Sequence, residues 1–231
     1  MELVVAHENT DFDAFAACVG VTKLHPSAVI GLGRRLSKPV RDFLALHKDR
    51  FPAERVDRLD LARVEALIVV DVRDRRRLAH VEPVLARRDA GEAVSVRIYD
   101  HHPATHDDVI GDVEVVEPVG AVTTLLVERI RARRIEIDAV EATLFVLGIY
   151  ADTAALTLGN TTSRDARAVA WLLDRGASLA VVNRYLEERF GGAQRGVLSA
   201  LLASARAEAV DGLTVGVGVV TPDTHVEGWP R

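Results

Sequence analysis

Carboxylates and imidazoles recur in this sequence just beyond apolar runs. His7 follows Leu3-Val4-Val5-Ala6, Asp71 follows Leu67-Ile68-Val69-Val70, and Asp100-His101-His102 closes the run from Val94 to Tyr99. Asp11 and Asp13 complete a His-x3-Asp-x-Asp pattern after His7. Asp152 sits in Gly148-Ile149-Tyr150-Ala151-Asp152-Thr153, just past a strongly apolar helical stretch. Carboxylates crowded at one place repel and resist joint ionisation. Divalent cations compensate that charge. Hard oxygen donors with a minority of imidazole nitrogens suit Mn²⁺ or Mg²⁺ better than Cu or a thiolate zinc site. Two such ions about 3.5–4 Å apart form a clamp that activates water and stabilises an in-line phosphoryl transition state.

Taken singly, each piece has a plain structural reading. An acid at a helix start is favoured by the helix dipole, and a histidine pair can sit in a solvated loop. What links the pieces is the architecture that must carry them. Leu3–Ala6, Ala28–Ile30, Ala66–Val70, Val94–Tyr99 and Val113–Val116 read as strands. Ala14–Leu24, Val40–His47 and Arg75–Arg88 read as helices between them. This alternation predicts an α/β fold, doubly wound, with a mainly parallel sheet and helices on both faces. In such a sheet the carboxyl ends of the strands share one edge, where ligands bind. His7, Asp71 and the Asp100-His101-His102 triplet therefore converge.

After Gly120 the sequence predicts a helical C-terminal part: Ala121–Arg134, Ala139–Tyr150, a helix from the capping-box-like Thr162/Asp165 to Arg175, then helices near Ala180–Glu188 and Arg195–Ala209. Leu213–Val220 reads as a terminal strand after the turn Asp211-Gly212. It either joins an existing sheet edge or begins a second domain. The expected division is residues 1–190 as the main domain and 191–231 as a linker helix with the start of a reduced or truncated second one.

Composition narrows the class. Apolar residues make up 48% and charged residues 27%, as in soluble globular chains. No run approaches the ~20 apolar residues of a membrane span. The N-terminus lacks a basic leader, so no signal peptide is expected and the cytoplasm is the expected compartment. Cys18, the only cysteine, excludes an internal disulfide and Cys-rich zinc sites. A net charge of -5 argues against general attraction to nucleic acid, though not against a local basic groove. Aromatic residues at 5% are a poor supply for base stacking.

The ordered set His7-Glu8-Asn9-Thr10-Asp11-Phe12-Asp13, Val69-Val70-Asp71, Asp100-His101-His102-Pro103 and Gly148 to Thr153 resembles the four motifs of the DHH phosphoesterase superfamily. That group includes RecJ-like exonucleases, oligoribonucleases, cyclic-dinucleotide phosphodiesterases and family II pyrophosphatases. Asn9 to Ala14 and Val40 to Leu44 are most similar to DHH domains that precede CBS and tRNA nucleotidyltransferase (CCA-adding or poly(A) polymerase-like) domains. The resemblance implies two Mn²⁺ ions, with Mg²⁺ as the alternative. His7, Asp11 and Asp71 would hold one. Asp13, Asp71, His101 and Asp152 would hold the other, Asp71 bridging. Asp100 would orient a ligand imidazole, and His102 would contact the substrate phosphate. The implied activity is hydrolysis of small phosphodiesters, such as short oligonucleotides or dinucleotides, with Asp71, His101, His102 and Asp100 catalytic. The alternative is a non-catalytic metal- or nucleotide-binding module of a larger RNA-processing protein, fused to or associated with CBS or nucleotidyltransferase domains.

Two departures matter. Superfamily members usually carry a second domain, DHHA1, with a Gly-Gly-Gly-His-type substrate loop, and no such motif stands here. Gly191-Gly192-Ala193 comes too early and reads as a turn. Pyrophosphatases of the superfamily use a Lys-rich motif in that domain. The only lysines here are Lys23, Lys38 and Lys48, which makes pyrophosphate a poor substrate candidate. Arg73 is the arginine best placed to meet substrate. Arg75, Arg76 and Arg77 read as a solvated helix start, and Arg34, Arg35, Lys38 and Arg41 form a second basic patch. His106 reads as a loop histidine, and Cys18 and Trp171 read as core.

Overall fold

The computed structural model describes residues 1–186 and 192–220. The chain forms two compact units, Met1–Leu186 and Glu187–Arg231. The first is built on a six-stranded, wholly parallel sheet of β1 (Glu2–Val5), β3 (Ala28–Leu32), β5 (Ala53–Arg55), β6 (Ala66–Val70), β7 (Ser95–Asp100) and β8 (Val113–Val116), in the order β5-β3-β1-β6-β7-β8. β2 (Asn9–Thr10) and β4 (Arg35–Leu36) form a separate short parallel pair.

Both faces of the sheet are covered, which explains the continuous apolar strands. Successive side chains point to opposite faces. Val4, Ile68 and Val70 pack in the core under α1 (Phe12–Leu24), α4 (Val122–Ala132) and α5 (Ala139–Thr153). Leu3, Val5, Leu67, Val69, Val96 and Ile98 pack in the other core, against Leu78, Val81, Val84 and Leu85. Each fully buried Val, Leu or Ile contributes about 1.5–3 kcal/mol by leaving water. Cys18 and Trp171 lie in the first core, as expected.

The order of strands fixes where a ligand can bind. From β1 the chain steps outward through β3 to β5, then returns to β6 on the other side of β1 and continues to β7 and β8. The winding reverses between β1 and β6, and there the loops at the strand ends diverge to leave a crevice. His7 follows β1, Asp71 follows β6, and Asp100 ends β7.

Several element boundaries differ from the sequence reading. Arg75–Arg88 is not one helix: a 3-10 stretch, Arg75–Val81, gives way to α3 (Glu82–Asp89), with Pro83 in its first turn. Proline suits a helix start and breaks a helix interior. Asp152 lies inside the last turn of α5 rather than beyond it. The remaining helices are α2 (Lys38–His47), α6 (Ser163–Leu173), α7 (Leu179–Leu186) and α8 (Gly192–Ser204).

In the second unit, Arg206–Val210 is a strand, β9, not the end of a helix. It pairs antiparallel with β10 (Leu213–Val217) across Asp211-Gly212, both at positive φ. The terminal strand thus joins a two-stranded sheet and not the parallel one. Gly192 opens α8, while Gly191 of the expected turn lies outside the described residues. Among the described residues no helix is long and apolar enough to cross a membrane.

Candidate metal centre

Five elements deliver six donor side chains to the crevice. His7 and Asp71 come from the ends of β1 and β6, His101 from the end of β7, Asp11 and Asp13 from the start of α1, and Asp152 from the last turn of α5. They form two sets of donors that converge within each set: His7, Asp11 and Asp71; and Asp13, Asp71, His101 and Asp152. Asp71 belongs to both. Its Oδ2 lies 3.3 Å from His7 Nε2, and its Oδ1 lies 3.4 Å from His101 Nε2. His7 Nε2 is 3.6 Å from Asp11 Oδ2, and His101 Nε2 is 3.4 Å from Asp152 Oδ2 and 4.0 Å from Asp13 Oδ2.

Local folding explains why these groups stand where they do. Asp71 has φ 60°, a left-handed conformation that favours glycine, and its N–H donates to Tyr99 O. Such a backbone persists only where its surroundings impose it. Asp11 caps α1: one carboxylate oxygen accepts from Ala14 N, while the other faces His7. The cap reading and the ligand reading of Asp11 thus describe one side chain. Asp13 performs a similar service for a different helix. The N-cap of α4 is Ala121, which has no capping side chain, and Asp13 accepts from Val122 N at 2.8 Å and Thr123 N at 2.9 Å. Those amides are otherwise orphaned.

The electrostatics are those of a site that needs positive charge. Burial alone would depress the His7 pKa, but the adjacent carboxylates of Asp11 and Asp71 push it up to about 9. His101 is pushed up to about 11: burial opposes, and Asp152 and Asp71 outweigh it. Asp13 is raised well above the carboxylate range by burial and by Asp152 and Asp71. Burial also raises Asp152, with Asp71 and Asp11 adding to the effect against the neighbouring His101 imidazole. Asp71 falls to about 2, because both imidazoles overcome its burial.

The donor set fits divalent cations. Asp71 Oδ1 and His101 Nε2, which face each other across the site, are buried without hydrogen-bond partners. Separations of 3.3–4.0 Å are too long for charge-assisted hydrogen bonds, which run about 2.7–2.9 Å. Two donors each about 2.1 Å from a common ion stand about 3.0–3.4 Å apart. The His101 ring is already oriented for a cation: its Nδ1–H donates to Val119 O at 3.0 Å, which turns Nε2 to the carboxylates.

Beside this cluster the structure corrects two expectations. Asp100 meets the ring of His102, not that of the proposed ligand His101. Its Oδ1 accepts from His102 Nδ1 at 2.8 Å and from the backbone N–H of His101 and His102. The His101 ring is oriented by Val119 instead. Arg73, expected to meet substrate, is turned inward: its Nε donates to Asp100 Oδ2 at 3.0 Å and a terminal nitrogen to His102 O at 2.6 Å. Arg73, Asp100 and His102 thus form one chain of contacts, with the His102 side chain 45% exposed.

In the second basic patch, Arg34 lines a cavity of about 260 Å³ with Glu8, Arg55 and His80, while Lys38 pairs with Asp42 and Arg41 donates to Leu36 O. The Val119 carbonyl, which orients the His101 ring, carries no signal in the sequence, because a backbone acceptor is independent of residue type.

No family model matches the sequence. An A-adding tRNA nucleotidyltransferase of Geobacter sulfurreducens is 36% identical over 227 residues, covering 98% of this chain and 25% of that protein. The chain therefore spans about a quarter of that relative's length. A probable manganese-dependent inorganic pyrophosphatase of Lactobacillus delbrueckii subsp. bulgaricus is 28% identical, covering 73% of this chain and 52% of the relative. Among solved structures, an exopolyphosphatase-related protein from Bacteroides fragilis superposes with a TM-score of 0.70 at 16% identity, over 88% of this chain and 61% of that one. That likeness concerns the fold.

Proposed function

We propose that this chain, a member of the DHH phosphoesterase superfamily by its motifs and its relatives, is a manganese-dependent hydrolase of small phosphodiesters, short oligonucleotides or dinucleotides, working in the cytoplasm. The observation that supports this most is the shared carboxylate of Asp71, one oxygen toward each imidazole. In this reading His7, Asp11 and Asp71 hold one Mn²⁺, and Asp13, Asp71, His101 and Asp152 hold the other. When bound, the ions supply Lewis acidity at a phosphoryl oxygen and an activated water.

The chain's own groups do the rest. Asp71 fixes the two donor sets relative to each other. The Val119 carbonyl fixes the His101 ring. Asp100, held by Arg73, fixes His102 through Nδ1 and leaves Nε2 to meet a non-bridging phosphate oxygen as negative charge develops on it. Asp100 keeps its charge for this: hydrogen bonds from His102 and from backbone amides outweigh its burial and lower its pKa.

The test is turnover of a dinucleotide and of a chromogenic phosphodiester with Mn²⁺ present. Asp71→Ala is expected to lower kcat/KM at least about 100-fold on both. Equal rates for the two proteins defeat the reading.

A second reading is favoured by the span of the nucleotidyltransferase match, which takes in 98% of this chain. It is a metal- or nucleotide-binding module of a larger RNA-processing protein. Calorimetric binding of a nucleotide without product over hours supports it; turnover by the chain contradicts it.

A further inference from the structure

The environment of His101 extends to a group outside the donor set. The peptide between Val119 and Gly120 makes two hydrogen bonds from its two ends. Its oxygen accepts from His101 Nδ1 at 3.0 Å, and its N–H donates to Asp165 Oδ2 at 2.9 Å. Asp165, in the first turn of α6, is fully buried. Its Oδ1 also accepts from Thr124 Oγ1 at 2.6 Å, and its Oδ2 from Thr162 N at 2.8 Å and Thr162 Oγ1 at 2.6 Å.

We infer that Asp165 is a positioning residue for His101, acting through the Val119–Gly120 peptide as a carboxylate–peptide–imidazole relay. A metal-bound histidine usually gives its second N–H to a carboxylate or a backbone carbonyl, which orients the ring and strengthens the ligand. Here one peptide joins the two. A carboxylate accepting from the amide makes the carbonyl a better acceptor, because hydrogen bonds in series polarise one another. Burial raises the Asp165 pKa, but its bonds to Thr124, Thr162 and Gly120 outweigh that and hold it below the usual range, so the carboxylate is charged near neutral pH.

The backbone at residue 120 is fitted to this arrangement. A Cβ there would stand 2.5 Å from Thr153 Cγ2 and 3.0 Å from Asp165 Oδ2, so only glycine allows the approach. The same residue reaches a second donor. Asn160 Nδ2 donates to Gly120 O and to Asp152 O, both at 3.3 Å. Asp165 therefore bears on the Asp13, Asp71, His101 and Asp152 set. It does not touch His7 or Asp11. A helix cap alone would need only the Thr162 contacts; the bond to Gly120 crosses 45 positions of sequence.

The inference rests on the reading of the cluster as a two-ion site, and the test separates the two. Asp165→Asn keeps the shape and removes the charge. The Mn²⁺ affinity of the ion at Asp13, Asp71, His101 and Asp152 is expected to fall about 10- to 100-fold by titration of free Mn²⁺ in electron paramagnetic resonance. The ion at His7, Asp11 and Asp71 should stay within about twofold, identified by its loss in Asp11→Ala.

Thr162→Ala removes the α6 cap and one of the donors to Asp165 Oδ2, but keeps the carboxylate, its bond from Thr124 and the bond from Gly120 N. It should lower the melting temperature and leave both affinities unchanged. The His101 Nδ1–H proton resonance, recorded without metal at one pH, should move upfield in Asp165→Asn and not in Thr162→Ala. An unmoved resonance in Asp165→Asn overturns the relay, whether or not Mn²⁺ binds. Equal affinity losses in the two variants also overturn it, and reduce Asp165 to a cap. Failure of the wild-type chain to bind Mn²⁺ overturns the two-ion reading itself.

Discussion

Asp71 shows how much one residue can be asked to do. It ends β6 in left-handed backbone and faces an imidazole with each oxygen. Asp11 and Asp71 push the His7 pKa up to about 9, and Asp152 and Asp71 push that of His101 up to about 11, so without a metal both imidazoles are protonated at neutral pH. A cation needs their lone pairs, so its binding at pH 7 must release protons. The apparent Mn²⁺ affinity should rise as pH rises from 6.5 toward 9, where His7 loses its proton unaided. Calorimetry in buffers of different ionisation enthalpy checks this. The expected result is about one or more protons released per chain, and a buffer-independent heat contradicts it. The donor residues were legible in the sequence because each follows an apolar strand or sits at a helix end. The partner of Asp100 was not. His101 and His102 are neighbours with opposite loyalties, and the choice between them is made by Val119, far along the chain.

At the level of elements, the site depends on α1, α4 and α5 approaching closely, because Asp13 and Asp152 ride on two of them. A Cβ at Gly148 would lie 2.6 Å from Thr123 Oγ1 and 2.8 Å from Ala16 Cβ. Gly148→Ala should therefore lower stability by about 1–3 kcal/mol through overpacking, and it should weaken Mn²⁺ binding by shifting α5 under Asp152. An unchanged urea midpoint contradicts the packing argument. Ile68→Ala, in the middle of β6 and away from the donors, should cost about 2–5 kcal/mol by leaving a cavity, read the same way. The parallel sheet was legible from alternating strand and helix patterns. The short β5 and the strand β9 were not. Ala53-Glu54-Arg55 carries no apolar run, and Arg206-Ala207-Glu208-Ala209-Val210 is a plausible helix by propensity. Its strand form is set by pairing with β10 across a turn.

For the whole molecule, the crevice between β1 and β6 makes metal binding a matter of global stability. An ion that binds only the folded chain stabilises it by about 2.7 kcal/mol at a hundredfold excess over Kd. Mn²⁺ should then raise the melting temperature by about 5 °C or more, and Asp71→Ala should abolish the increase. Coincident melting curves with and without Mn²⁺ contradict this. The most direct test is anomalous diffraction at the manganese edge from crystals grown with Mn²⁺. The predicted result is two peaks about 3.5–4 Å apart, one beside His7 and Asp11, the other beside His101 and Asp152, with an Asp71 oxygen toward each. A map with no peak among these residues, or with manganese only elsewhere on the surface, would contradict it.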